Sequence, residues 1–539
     1  MKRINHPFRS PLAGLVACAL AGALGAQHAP RQIRIEGSHG PLNTTSAIPV
    51  TGATLGELAY RLADHTPGSY LVDVDFSVLD RVDPEVENRI ALTFEDERYE
   101  IVLLQVETRG PRRHTWLGQV AGITSSEVIL VRHEEGLVLT VNDLSGRGLI
   151  ELQGMTGGLY RIGRHQTAGG HCGTPSTPLP RLERLAPAGQ GQPEAGALPP
   201  TPEFVSAGTD PDNVIDVLIV PSDEALSSAG SEAQFLAKSF SAVAGINLRL
   251  ANSGVNLTTR LCAVPFADAS GYSESSSMST NLDNLTYTGT TYSGLDALQA
   301  NRDDYRPDIM ALVVSENEPV FGGEIQGIGW RPATTGQLTT TAGYFVTSLE
   351  TMTEPTFAHE FGHNLGACHN AGQDGCSTAI TTSPHGIRKT CGLFGEWEFR
   401  TTMSYSEGQI NSQQVSYFST EGITLTLTDG LGLEICDFDI WDGVSKVSAL
   451  FDESRPIVAD YNIGSNQLWV QQDAGTDVGT YVEPMWSIAD ANAALDSSVT
   501  DNRIRVWAGA YNETTLAGGA VTLSTPCTIS GEGGNLIIQ

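Results

Sequence analysis

Residues 359–369 read HEFGHNLGACH, so that His359, Glu360, His363, Gly366 and His369 stand in the pattern H-E-x-x-H-x-x-G-x-x-H. The spacing has a physical reason. On a helix, residues four apart share a face, so the imidazoles of His359 and His363 can reach one metal ion while Glu360 lies beside them. Gly366 follows where the helix has to end. A residue without Cβ takes the left-handed conformation at little cost, and the resulting bend brings His369 round as a third nitrogen ligand. Three protein ligands suit Zn2+ and leave a fourth position open. An open position marks a catalytic rather than a structural zinc, because a water there reaches a pKa of roughly 7.

The longer run FAHEFGHNLGACHN, residues 357–370, resembles the metzincin metalloproteases, and within them the adamalysin or reprolysin-like branch with its secreted bacterial members. Metzincins also carry a methionine turn beneath the metal. TTMSY, with Met403 34 residues after His369, stands where that turn is expected. The resemblance implies peptide-bond hydrolysis with His359, His363 and His369 on zinc and Glu360 as general base, acting on protein or peptide substrates. Two departures stand out. Asn370 occupies a position where adamalysins usually have Asp, which keeps the geometry and loses the charge. Tyr405, two residues after Met403, is similar to the tyrosine that astacins and serralysins swing onto the metal. For Tyr405 three roles stay open: fifth ligand, transition-state stabiliser, or buried tyrosine with a satisfied hydroxyl.

Outward from this stretch the pattern is that of an α/β domain over 213–463. DNVIDVLIVPS reads as a buried strand, and the next segment sets Leu236, Phe240, Val243 and Leu250 on one helical face. Strands are expected at NLTTRLCAVPF and DIMALVVS, with the helical YSGLDALQANRDDY between them. Alternation of this kind predicts a twisted, mostly parallel sheet with helices, the design metzincins share. In that family an antiparallel edge strand over the zinc pairs with extended substrate, and GGEIQGIGW (322–330) is the candidate. VSYFST and VSALFDESRPIVADYN resemble the closing strand and last helix of reprolysin-like domains.

Upstream, RIALTFEDERYEIVLLQVETR and SSEVILVRHEEGLVLTVND alternate as short strands, which predicts a β-rich domain over 27–174 similar to the pro-domains of reprolysin-like enzymes. It ends in HCGTP. A thiolate is a soft ligand able to fill the open zinc position, so Cys172 is a candidate inhibitory cysteine, similar to the cysteine switch of related zymogens; a free or disulfide-bonded cysteine is the other reading. Residues 175–212 turn to Pro, Ala and Gly, the composition of an exposed linker and a natural place for activation cleavage, with Arg181 and Arg184 as sites. Residues 1–10 are basic and 11–26 apolar and small, a signal peptide that predicts export to the periplasm or the medium, with lipoprotein anchoring at Cys18 as a minor alternative.

The last segment, 464–539, resembles the opening cap and first rungs of a parallel β-helix, too few to stand alone and so a small C-terminal β module. No later run approaches the roughly 18 apolar residues of a membrane span. With 62 acidic against 31 basic residues the chain carries a formal charge of −31, which repels nucleic acid. Acidity of this order leaves room for Ca2+, and Asp437, Asp439 and Asp442 are the candidate cluster, against a solvated loop. Six cysteines follow the linker (Cys262, Cys368, Cys376, Cys391, Cys436 and Cys527), an even number that suits disulfide pairing in an oxidising compartment, with a local bridge expected among Cys368, Cys376 and Cys391. The expected protein is a secreted zinc metalloendopeptidase made as a zymogen; the alternatives are a catalytically silent zinc-fold adhesion protein and a polysaccharide-active enzyme acting through residues 464–539. Oligomeric state, substrate and cleavage preference are not legible in the sequence.

Overall fold

The computed structural model describes residues 31–32, 35–36, 70–74, 88–94, 97–172 and 213–538. The last two ranges are interrupted at 111, 124–125, 144–147, 155–159, 166–170, 290–293, 321–322, 372–379, 382–383, 393–396, 407–410, 429–433, 462–466, 472–484, 486, 496–501 and 512–526. The expected signal peptide, Cys18, the linker 175–212 with Arg181 and Arg184, and Cys376 lie outside the described residues.

A ten-stranded sheet forms the N-terminal region. Its strands are β1 Arg31–Gln32, β2 Ile35–Glu36, β3 Tyr70–Val74, β4 Asn88–Phe94, β5 Glu97–Gly110, β6 Arg113–Val120, β7 Glu127–His133, β8 Gly136–Asn142, β9 Leu149–Gly154 and β10 Tyr160–His165. From β4 to β10 they pair as an antiparallel meander, and β3 adds antiparallel to β10. Side chains alternate between faces along a strand. In β7 and β8, Val128, Leu130, Leu137, Leu139 and Val141 enter the sheet's own core. Their neighbours Ile129, Val131 and Val138 face the other way and join the core of the following domain. EVILVRH and GLVLTVN therefore read as nearly continuous apolar runs because both faces are covered.

The next domain begins with β12 Val214–Pro221, α1 Asp223–Ala229 and α2 Glu232–Asn252, then β13 Thr258–Ala263, α3 Met278–Thr286, β14 Ile309–Val314, β15 Glu318–Val320, β16 Gly323–Gly329 and β17 Tyr344–Ser348. Strands β13, β12, β14 and β17 lie side by side and parallel; β16 joins antiparallel to β17. The glycine-rich stretch expected at a sheet edge is thus a strand, with β15 folded back on its start. One short strand, β11 His171–Cys172, pairs with β16 on the side away from β17. Both α1 and α2 start on serine caps, Ser222 and Ser231, whose side chains accept from Ala225 N and Gln234 N.

One expectation needs correction and two gain detail. Helix α2 buries its expected face with Phe240, Val243 and Leu250, and burial runs on almost right round it through Phe235, Lys238, Ser241 and Ile246, because the N-terminal sheet covers the face that the domain's own sheet leaves open. The helical part of YSGLDALQANRDDY is two short helices, Asp296–Ala300 and Arg302–Tyr305. VSYFST is not a strand: the Tyr417 carbonyl accepts from Thr402 N, Phe418 N donates to the Ser253 hydroxyl, and Thr420 N donates to the Ile440 carbonyl, so its backbone groups are satisfied one by one.

After β17 comes α4 Pro355–Asn364, then a small sheet of β18 Arg388–Cys391, β19 Trp397–Arg400 and β20 Asn411–Gln414, a hairpin of β21 Thr424–Thr428 and β22 Glu434–Asp439, and α5 Val447–Val458. The C-terminal strands β23 Gln467–Val470, β24 Arg503–Tyr511 and β25 Thr528–Ile538 run parallel, with α6 Ile488–Ala494 packed on them around Val470, Ile488, Ile504 and Val506. Arg505 pairs with Asp304, tying this part to the preceding domain. No helix among the described residues is long and apolar enough to cross a membrane.

The even cysteine count does not translate into full pairing. Cys391 is bonded to Cys436, which joins β18 to β22, and Cys368 is disulfide-bonded too. Cys262, buried in β13, and Cys527 are free thiols.

Candidate metal centre

Helix α4 opens with Pro355 at its first turn, where no backbone N–H is needed. It closes with Gly366 at φ 95°, Gly366 N donating to the His363 carbonyl at 2.8 Å and Ala367 N to the Gly362 carbonyl at 3.0 Å. These two bonds are those of a Schellman ending, which only a left-handed residue at Gly366 allows. The reversed chain brings His369 back over the helix.

There His363 Nε2 lies 3.0 Å from His359 Nε2 and 3.0 Å from His369 Nε2. His359 Nδ1 is 2.8 Å from the Thr402 carbonyl and His363 Nδ1 is 2.8 Å from the Ala367 carbonyl. A carbonyl only accepts, so both Nδ1 atoms carry the hydrogen and both Nε2 atoms point inward as lone pairs. Burial, with His359 and His369 alongside, holds His363 well below its ordinary pKa and so in the neutral, ligating form. Converging lone pairs repel unless a cation lies between them. Ligands about 2.0–2.1 Å from a tetrahedral ion stand about 3.3 Å apart, a few tenths of an ångström from the separations seen here. The three histidines fit zinc.

The turn that follows completes the shell. Ser404 N donates to the Thr401 carbonyl, and this turn carries Thr402, which orients His359, next to the fully buried Met403. Met403 packs so close to α4 that a Cβ on Gly362 would sit 2.5 Å from its sulfur. The Tyr405 ring lies 4.0 Å from that of His369, centroid to centroid, and its backbone N–H donates to Asn370 Oδ1 at 3.1 Å. Asn370 therefore does as a neutral acceptor what an aspartate would do with a charge.

Glu360 is fully buried, under β16; a Cβ on Gly327 would come within 2.8 Å of its Oε1. Gly327 and Gly329 are what lets the strand pass over this carboxylate. On β16 lies β11, parallel to it, with His171 opposite Ile325 and Cys172 opposite Gly327. The Cys172 sulfur and the ligating nitrogens of His359, His363 and His369 all fall within 4.8 Å of one another, among the described residues the one cluster of its kind. That sulfur is also 3.4 Å from Glu360 Oε2, and the Tyr405 hydroxyl donates to the Cys172 carbonyl at 3.0 Å.

Several supporting residues carried no signal in the sequence. Asn364 donates to the carbonyls of Trp330 and Tyr344, pinning α4 to the sheet. His385 Nδ1 donates to the His369 carbonyl at 2.8 Å. The calcium reading of Asp437, Asp439 and Asp442 has no support: Thr426 and Thr424 donate to Asp437 and Asp439 across the hairpin, and Asp442 accepts from Val444 N and Ser445 N. The carboxylates serve their own strands and turn.

Residues 212–433 match the family described as Metallo-peptidase family M12B Reprolysin-like. Among solved structures the chain is similar to metalloproteinase-II from Bacteroides fragilis, at 14% identity and TM-score 0.33, over 57% of this chain and 90% of that one. It is also similar to a chain in the structure of a chaperone-substrate complex, at 20% identity and TM-score 0.31, over 47% of this chain and 35% of that one. The chain thus spans about a third of the length of that second protein. No curated protein matches it.

Proposed function

We propose that the protein is a secreted zinc-dependent metalloendopeptidase synthesised as a zymogen, with His359, His363 and His369 holding the metal, Glu360 as general base and Cys172 as the group that keeps the precursor latent. The observation that carries this reading is the convergence of three imidazole nitrogens beside a buried carboxylate inside a metallopeptidase domain. When bound, zinc supplies Lewis-acid polarisation of the scissile carbonyl and of a water. Glu360 accepts the proton of that water and returns it to the leaving amine. Substrate adds as an extended strand to the edge of β16, where β11 lies in the precursor. Tyr405 stands beside the metal ligands with its hydroxyl on the Cys172 backbone, which supports a role in orienting whatever occupies that edge. A neutral phenol suits such a donor, and burial raises the Tyr405 pKa well above its ordinary value. Export rests on the basic and then apolar stretch of residues 1–26, and the parallel strands β23–β25 support reading residues 464–539 as an appended β module.

The test is hydrolysis of casein or gelatin by secreted protein, with Glu360→Gln and chelator-treated samples, metal content, and the N-terminus of the active species. Activity lost in both controls and a new N-terminus between 175 and 213 are the expected results. Zinc-loaded, processed protein that cleaves nothing in a peptide library would favour the binding-protein alternative.

A further inference from the structure

Among the described residues, two of the contacts between the region read as a removable pro-domain and the catalytic domain differ sharply in character. One is β11, two residues long. The other is the outer face of β7, β8 and β9 laid along α2, whose 21 residues span about 30 Å. We infer that this second contact is permanent: when the chain is cut between β11 and β12, the N-terminal sheet stays bound to α2 as a non-covalent subunit of the mature protein, and only β11 has to leave its edge.

The contact has the marks of a domain core. Ile129, Val131 and Val138 belong to the same apolar cluster as Phe235, Phe240 and Val243 of α2. Phe240 is stacked on His133, ring centroids 5.5 Å apart, and covered by the Arg109 guanidinium at 4.3 Å. The Gln234 amide closes a two-way pair with the backbone of β8, accepting from Leu137 N at 2.9 Å and donating to the Leu137 carbonyl at 3.0 Å. Approach is so close that a Cβ on Gly136 would fall 2.2 Å from the Ala233 carbonyl oxygen. Charge is matched as well: Lys238 of α2 meets Glu151 of β9 at 3.2 Å with side chains 1% and 2% exposed, and Thr353, two residues before α4, donates to the same carboxylate at 2.6 Å. Removing the sheet would bare apolar surface along a whole helix and strip Lys238 of its buried partner, the kind of loss that obligate subunits avoid.

The experiment uses the full chain with a specific protease site placed between residues 185 and 200. After cutting, native size-exclusion chromatography and native mass spectrometry should show both fragments in one particle at the mass of the intact chain, stable in 1 M salt. Two separated fragments, with residues 213–539 eluting alone and folded, would overturn the inference. Phe240→Ala and Gln234→Ala, each folded before the cut, should weaken the cut complex at least tenfold in Kd. Undiminished association in both would assign the hold elsewhere and overturn it too. The inference rests on the zymogen reading only for the place of the natural cut. Its readout is mass rather than hydrolysis, so failure of the protease assignment and failure of the subunit assignment are seen separately.

Discussion

Two contacts between the N-terminal region and the metallopeptidase-like domain, along α2 and at β16, differ in what holds them. Along α2 the hold is apolar burial, a side-chain amide pair and a buried ion pair. At β16 it is a two-residue parallel strand, one hydroxyl donating to a carbonyl, and a thiol among metal ligands. The first kind is spread along a whole helix. The second can be replaced, because another extended chain can offer the same backbone groups to β16 and a water can take the fourth metal position. On the reading proposed above, one region provides a permanent support and an exchangeable block.

Substitutions separate the two. Glu360→Gln should lower casein hydrolysis by about 10²–10⁴-fold with metal content and chromatographic mass unchanged; retained turnover would remove Glu360 as the base. Phe240→Ala should cost about 3 kcal/mol of unfolding free energy in urea and leave the latency of the precursor as it was. Cys172→Ser should do the opposite, with precursor activity rising roughly tenfold toward that of processed enzyme and stability moving by less than about 1 kcal/mol. A precursor no more active than the parent would exclude the thiol as the block.

A smaller effect lies in pH. Burial pushes the Glu127 carboxyl from its ordinary 4.5 up to about 7, with Arg249 pulling the other way. A group whose pKa is raised on folding binds its proton more tightly in the folded state. Its contribution is therefore fully present below about pH 4.5 and lost as pH rises to about 7. Glu127→Gln should make the melting temperature less dependent on pH across that window, by the equivalent of about 3 kcal/mol. His133, pushed down to about 4 by burial with Arg113 and Arg109 beside it, works in the opposite sense and weakens the contact as pH falls from 6.5 to 4. An unchanged slope in the Glu127 variant would mean that the carboxyl is hydrated at this contact.

The candidate metal centre was largely legible because its parts are local. Two histidines four apart, a glycine at the helix end and a methionine in a short turn can be read from spacing. Less legible were the residues that act over distance. Gln234 meets Leu137 from 97 positions away, and nothing in either segment announces a side chain serving as a strand. The apolar runs in β7 and β8 showed strands but not which second domain covers their other face, nor that Arg132 and Thr140 are buried with them. Cys391 and Cys436 are 45 residues apart, and chain order alone gave no reason to prefer that bond to a nearer one.

Chain order has one more consequence, in the direction of synthesis. The ring of His359 is set by the Thr402 carbonyl, 43 residues later, so the centre cannot assume its final geometry until the polypeptide has been made beyond the turn at 401–404. Cys172 emerges 188 residues ahead of Glu360. With Cys172 as the proposed inhibitory group, the stopper is translated first and the machinery last, so that no finished cutting edge would exist inside the producing cell without its guard already present on the same chain.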